Sequence, residues 1–218
     1  MNPLSVLRDS LYFFRRHLAS ILQLCLPLVV LEALLTQLLD RQLGEQAAPA
    51  FGMLVSLLFY PLYTAALILY LDTRSNGQAI AKRDLFARAL QLWPRLALLV
   101  VICTLLISAG LLLFIFPGVW IMVNLVFAEY LLVLRGLPVI EAMRTSARMT
   151  TGHFLRIMIC MLAVLAPLWL IEGLLISAFP EPQPGVRLAV DSFNGFLQLF
   201  ATVVLYRLFM LRESEAGA

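Results

Sequence analysis

Three glutamates stand inside apolar runs of this 218-residue chain, and they are the side chains whose placement could carry chemistry. Glu32 lies in PLVVLEALL (27–35) and Glu172 in PLWLIEGLL (167–175), each five residues after a proline, while Glu129 lies in NLVFAEYLLVLR (124–135). A charged side chain at the centre of a membrane helix costs about 2.5–3.5 kcal/mol on insertion scales, so an acid there is by default a functional candidate. One reading has Glu32 and Glu172 lining an outward-facing polar cleft that takes a proton, a cation or a lipid amine, with Glu129 nearer the cytoplasm. The other makes each acid structural: protonated, or hydrogen-bonded to Gln23, Gln37, Asn124 or a carbonyl released by Pro27 or Pro167, since proline leaves an acceptor unpaired one turn earlier. Both readings stay open on the sequence.

A second set of candidates faces lipid headgroups. His17 and His153 open apolar runs at the cytoplasmic interface, and Arg8, Arg88 and Arg144 lie beside helical apolar stripes. Two histidines so far apart make no ligand pattern, and Cys25, Cys103 and Cys160 sit singly in different runs without CxxC spacing, so packing thiols and no metal are expected. No HExxH, Walker lysine loop, GxSxG or clustered His and Cys is present. No nucleophile–base constellation appears either, so the expectation is a protein that is not an enzyme and needs no cofactor. Tyr70, Tyr130, Tyr206 and Trp93 are placed for a cytoplasmic aromatic belt, and Phe116 and Trp120 for an outer one. Asp191 and Asn194-Gly195 near the start of the last span could cap it or face the outer cleft, and capping is the expected role.

The elements that hold these residues follow from composition. Hydrophobic residues make up 62% of the chain and charged residues 13%, with a mean hydropathy of +0.93; soluble domains carry about a quarter charged residues, so this is an integral membrane protein. The net charge of +3 arises from basic residues scattered between apolar runs, which excludes a nucleic-acid reader. A bilayer core of about 30 Å takes roughly 20 helical residues, and continuous apolar runs favour helices over a barrel. The runs fall at 18–39, 50–71, 96–116, 118–134, 157–179 and 188–211. Phe116-Pro117-Gly118 predicts a near-loopless hairpin between the third and fourth.

Charge then orients the chain. With the N-terminus inside, the cytoplasmic segments hold fourteen basic residues and the outer segments only Arg41 and Arg187, which supports both termini in the cytoplasm. Each cytoplasmic segment also carries apolar residues at helical spacing beside a basic face: Leu4, Leu7, Leu11 and Phe14; Phe86, Ala89, Leu90 and Trp93; Ile140, Met143 and Ala147. The expected fold is an all-α membrane protein of six transmembrane helices arranged as three hairpins, each preceded by a basic amphipathic interfacial helix that contacts anionic lipid. The whole chain is one polytopic domain, with a threefold repeat starting near 4, 80 and 138 suggested by the spacings Arg8–His17 and Arg144–His153.

The stretch FPGVWIMVNLVFAEYLLVLRGLPVIEAMRTSARMTTGHFLRI, 116–157, is the most distinctive. Through Pro117-Gly118, the Ala128 region, Glu141-Ala142, Ser146 and Gly152-His153-Phe154 it resembles the YciC-like family of bacterial inner-membrane proteins. More distantly it resembles the membrane domain found with some glycerophosphodiester phosphodiesterases. The resemblance implies a multi-pass protein of the bacterial inner membrane with no established activity. Because the phosphodiesterases place catalysis in a separate soluble domain that this chain lacks, it also implies a lipid or envelope role, alone or with membrane-protein partners, and supplies no catalytic residues. The alternative from the acids themselves is a small carrier or channel that uses them to bind an ion or substrate.

Overall fold

A computed structural model describes residues 3–78, 80–178 and 184–216; the side chains of residues 3–7, 9, 43–49, 176, 184, 215 and 216 lie outside that description. The described chain is helical, in the order α1 (Pro3–Ser75), α2 (Lys82–Leu113), α3 (Ile115–Leu125), α4 (Ala128–Arg135), α5 (Val139–Thr150), α6 (Phe154–Ala178) and α7 (Pro184–Ala216). Among the described residues six segments are long and apolar enough to cross a membrane: Ser10–Gln42, Ala50–Ser75, Lys82–Leu113, Ile115–Arg135, Phe154–Leu175 and Gly185–Ser214. They correspond one to one with the six apolar runs.

Helix α1 supplies the first two spans as antiparallel arms. Ser56 meets Glu32, the carbonyl of Tyr63 meets Cys25 and Tyr70 meets His17. Each pair sums to nearly the same sequence number, which requires the chain to reverse near residue 44. The second arm is the centre of the bundle: 56% of its span is buried against other helices, against 22% for the first arm and for α2. Its inward residues Leu67, Ile68 and Leu71 join Leu85, Leu96, Phe127, Leu132 and Phe209 in one core. Burying apolar side chains against one another supplies packing where the surrounding lipid is already apolar, so close fit and not water exclusion holds the helices together.

The α2–α3 hairpin is tighter than the sequence suggests, and it turns elsewhere. The reversal falls at Phe114, which is extended (φ −163°, ψ 156°), so Pro117 and Gly118 belong to the first turn of α3. Proline fits there because the amide it lacks would have no helical partner. Glycine is needed for proximity: a Cβ on Gly110 would stand 2.8 Å from Gly118 Cα, and one on Gly118 would stand 2.8 Å from Leu111 N. The residues about the tip, Leu112, Phe114, Ile115 and Phe116, are exposed, as suits a hairpin end facing acyl chains.

The fourth span is broken. Helix α3 ends at Leu125, α4 starts at Ala128, and the gap is filled from outside by Ser146 of α5, which is fully buried. Its hydroxyl donates to the Asn124 carbonyl at 2.6 Å and accepts from the Phe127 amide at 3.1 Å. A hydroxyl inserted into the ladder is one of the recognised causes of a sharp kink. Asn124 assists by donating its side-chain amide to the Trp120 carbonyl at 2.8 Å, competing with the backbone.

Helix α5 therefore differs from the expected surface helix. Its buried face is Ala142, Ser146 and Thr150, at i, i+4 and i+8, while Ile140 is 52% exposed and Met143 and Ala147 are half-buried. The other two basic amphipathic segments are helical but continue without interruption into their spans, as the leading turns of α1 and α2. Of the first stripe, Leu4 and Leu7 lie outside the described side chains; Leu11 is exposed and Phe14 buried.

All six spans alternate in direction. At one end His17–Tyr70, Ser75–Tyr206, Arg135–Glu213 and His153–Arg212 tie neighbouring spans together, and at the other Arg187 pairs with Asp40 at 2.5 Å. The first is the end where fourteen of the sixteen lysines and arginines concentrate. It is called the basic end below.

Candidate functional site

The acids do not share one cleft. Glu32 opens onto a cavity of about 700 Å³ enclosed by both arms of α1, α2 and α7, in the half of the bundle opposite the basic end. Glu129 and Glu172 open onto a second cavity of about 350 Å³, enclosed chiefly by α2, α3, α4, α6 and α7. The expected pairing of Glu32 with Glu172 is thus replaced by Glu129 with Glu172. The reason lies in helix order: α7 packs against both α1 and α6 and brings Asn194 and Gln198 between the two prolines' helices, so that these two residues and Tyr60 line both cavities.

A close approach makes that wall. A Cβ on Gly195 would stand 2.7 Å from Val29 Cγ1, so α7 approaches the first arm closely enough that any larger residue would make Val29 shift. Asp191, Asn194 and Gln198, at i, i+3 and i+7, are thereby turned toward the larger cavity. Asp191 and Asn194 are not caps, because α7 begins at Pro184, seven residues earlier than Asp191. Asp191 keeps Arg187 at 3.8 Å on its own helix, and Arg187 reaches Asp40 as well.

The three glutamates have different surroundings. Glu32 is half-buried and its Oε1 accepts from Ser56 Oγ at 2.6 Å. Glu129 accepts from the Tyr60 hydroxyl at 3.2 and 3.3 Å to its two oxygens, and it sits in the first turn of α4, where the helix's positive end favours a carboxylate. The break made by Ser146 creates that helix start, so Glu129 has a structural explanation. Glu172 is half-buried beside Trp169 at the edge of the second cavity. Glu32 and Asp191 face the larger cavity with no lysine, arginine or histidine among the residues lining it.

The larger cavity is otherwise apolar, with Val29, Met53, Leu54, Leu57 and Val100 forming much of its wall. Such a space, apolar with a few convergent polar groups, is the usual form of a small-molecule site. A bare ion would leave most of it empty. An elongated molecule with an apolar body and a cationic or hydrogen-bond-donating head would fill it and meet Glu32, Asp191, Asn194 and Gln198.

The headgroup candidates divide. Arg8, Arg88 and Arg144 are exposed. His17 is half-buried, its Nδ1 3.3 Å from the Tyr70 hydroxyl and its ring 4.5 Å from Phe13. His153 lies in the turn before α6 with Nδ1 3.0 Å from Arg212, which also donates to the Met149 carbonyl. His17 thus ties the two arms of α1 together, and His153 ties the start of α6 to α7. The aromatic belt is corrected likewise: Tyr70, Tyr130 and Tyr206 are buried, with Tyr130 donating to the Thr202 carbonyl at 3.0 Å. Trp93 donates to the Leu58 carbonyl at 2.9 Å, one turn before Pro61, whereas Phe116 and Trp120 are exposed as expected. The cysteines are unbridged; Cys25 and Cys160 are buried.

Ser56, Tyr60 and Gln198 escaped the sequence reading. A signal existed: Ser56, Tyr60 and Thr64 recur every fourth residue along one face of the second arm, and polar residues at helical spacing inside an apolar run mark an inward face.

Comparison with known proteins gives the family. The model of the family described as "Uncharacterised protein family (UPF0259)" matches residues 46–211. A UPF0259 membrane protein of Sodalis glossinidius is 28% identical over 245 aligned positions, covering 94% of this chain and 95% of that one. One of Serratia proteamaculans is 28% identical over 250, covering 95% and 96%, and one of Pectobacterium carotovorum is 24% identical over 170, covering 74% and 65%. No solved structure matches. With three quarters of its length matched and its six membrane-length helices, the chain belongs to the UPF0259 family, uncharacterised multi-pass membrane proteins and the same family as the YciC-like proteins it resembles in residues 116–157.

Proposed function

We propose that this protein is a non-enzymatic binder of an amine-bearing membrane amphiphile, serving lipid or envelope homeostasis in the bacterial inner membrane with both termini in the cytoplasm. The observation that carries the reading is the larger cavity: apolar walls, Glu32 and Asp191 at its polar side, and no basic residue lining it. A desolvated carboxylate gains most from a cationic donor, and an ammonium with three donors can also reach Asn194 and Gln198. The basic end, with Arg8, Arg88 and Arg144 exposed, suits anionic lipid at the cytoplasmic face, and with that orientation the cavity opens in the outer half of the bilayer.

The test is native mass spectrometry of the purified chain with phosphatidylethanolamine and with its N-acetylated form, in which the amine no longer carries charge. The amine lipid is retained more strongly, and Glu32→Gln abolishes the preference. Equal retention of the two lipids by the unaltered protein contradicts the reading.

A second reading rests on a different observation. Tyr60, Asn194 and Gln198 line both cavities, so Glu32 and the Glu129–Glu172 pair are separated by one layer of polar side chains. A carrier would use that layer as the barrier between two half-sites. Ion or amine flux in proteoliposomes, lost in Glu32→Gln and Glu129→Gln, supports it; lack of flux under a gradient in either direction rejects it.

A further inference from the structure

At the basic end, away from both acid-lined cavities, a space of about 270 Å³ opens between the first turns of α1, the end of its second arm and α7. Ser10, Ser75, Tyr206 and Arg207 give it polar groups, and Leu71 and Val203 part of an apolar wall. Two of the hydroxyls are already committed. Ser75 Oγ donates to the Asp72 carbonyl at 2.9 Å and lies 2.9 Å from the Tyr206 hydroxyl. Asp72 Oδ1 is 3.5 Å from that hydroxyl and is not among the residues lining the space.

Ser10 is different. The residue is only 2% exposed, and its hydroxyl has no hydrogen-bond partner. A helical serine ordinarily bonds the carbonyl one turn back, and a buried hydroxyl left unpaired costs stability, so a partner from outside the chain is the natural completion. Arg207 lines the same space, is exposed and has no partner among the described residues. Ser10 and Arg207 thus bring a neutral hydroxyl and a guanidinium to one space from two neighbouring helices, the donor types that bind a tetrahedral oxyanion. The first membrane-length segment begins at Ser10, so the space lies at one end of the spans.

We propose that this space binds a phosphate group, either the phosphodiester of a membrane lipid headgroup or free phosphate, with Ser10 and Arg207 as its donors. Leu71 and Val203 supply the apolar wall that a glycerol and the first carbons of an acyl chain require. This site stands apart from the amine cavity and does not depend on it.

The experiment is lipid retention by the full-length chain in native mass spectrometry, with phosphatidylglycerol as probe and phosphate-free diacylglycerol as control, with and without inorganic phosphate. Ser10→Ala weakens phosphatidylglycerol retention about fivefold and Arg207→Gln about tenfold, the sizes expected of a neutral and a charge-assisted hydrogen bond; diacylglycerol retention does not change. Thermal unfolding of lipid-free Ser10→Ala is unchanged or shifted upward, because an unpaired hydroxyl is removed, and this separates binding from folding. Displacement of the lipid by inorganic phosphate assigns free phosphate as the occupant, and lack of displacement assigns the lipid. Retention equal to that of the unaltered chain in both variants overturns the proposal. Glu32→Gln leaves the phosphatidylglycerol result untouched, so failure here is distinct from failure of the amine cavity.

Discussion

PLVVLEALL and PLWLIEGLL are near copies, yet the helices that carry them meet different neighbours. Around Glu32 the second arm of α1 brings a serine hydroxyl to 2.6 Å, and α7 comes close enough at Gly195 to aim two amides and Asp191 into the same space. Around Glu172 the same two amides and Tyr60 line a smaller cavity, with Trp169, Leu165 and Leu168 on the acid's own helix and Glu129 among the other lining residues, but no serine hydroxyl among the described residues reaches the acid. A duplicated sequence therefore fixes a duplicated helix but not a duplicated site. What separates the two acids is the second arm of α1, which gives Glu32 a serine partner, and Asp191, which lines only the larger cavity.

The difference can be broken at its source or probed at the acids. The largest effect is expected from Gly195→Leu, since even a Cβ would meet Val29 at 2.7 Å. Overpacking of this kind costs about 1–3 kcal/mol. It should lower the melting temperature of the purified protein and remove ethanolamine-lipid retention together, because the wall shared by the two cavities is displaced. Glu32→Gln should come next: about tenfold weaker retention of the amine lipid, the size of one charge-assisted hydrogen bond, with the melting temperature little altered. Ser56→Ala removes the hydrogen bond that orients Glu32 and should weaken the same retention about threefold, within the range of a single neutral hydrogen bond. Glu172→Gln, the matching change in the copied helix, should leave amine-lipid retention within about twofold, which is the scatter of a mutation at an independent site. Equal losses in Glu32→Gln and Glu172→Gln would merge the two acids into one functional unit and dissolve the distinction.

The fold was legible where it depends on local composition. Six apolar runs of membrane length became six membrane-length helices because hydrocarbon thickness and helical rise leave a chain this apolar few alternatives. What escaped depends on neighbours. The α2–α3 turn fell at Phe114 because proline starts a helix as readily as it ends one, and only the contact of Gly110 with Gly118 shows which applies. Tyr70, Tyr130 and Tyr206 have the spacing of interfacial anchors but point inward, where each hydroxyl finds a partner on another span. The break at Val126-Phe127 needs a hydroxyl from a helix some twenty residues later; the stripe Ala142, Ser146, Thr150 was its trace in the sequence, hidden by the more conspicuous basic and apolar residues beside it. Of the residues that carry the YciC-like resemblance, Gly118, Ala128, Ala142 and Ser146 are buried at these junctions, Pro117, His153 and Phe154 are half-buried, and Glu141 and Gly152 are exposed.

The central claim is that an amine-bearing amphiphile occupies the space beside Glu32. Its most direct test is a density map of the protein in nanodiscs that contain phosphatidylethanolamine. The account predicts elongated density between the two arms of α1, α2 and α7, with its head within hydrogen-bonding reach of Glu32 and absent in Glu32→Gln. Lipid confined to the outer surface of the bundle, with the cavity closed by repacked side chains in both proteins, would contradict it.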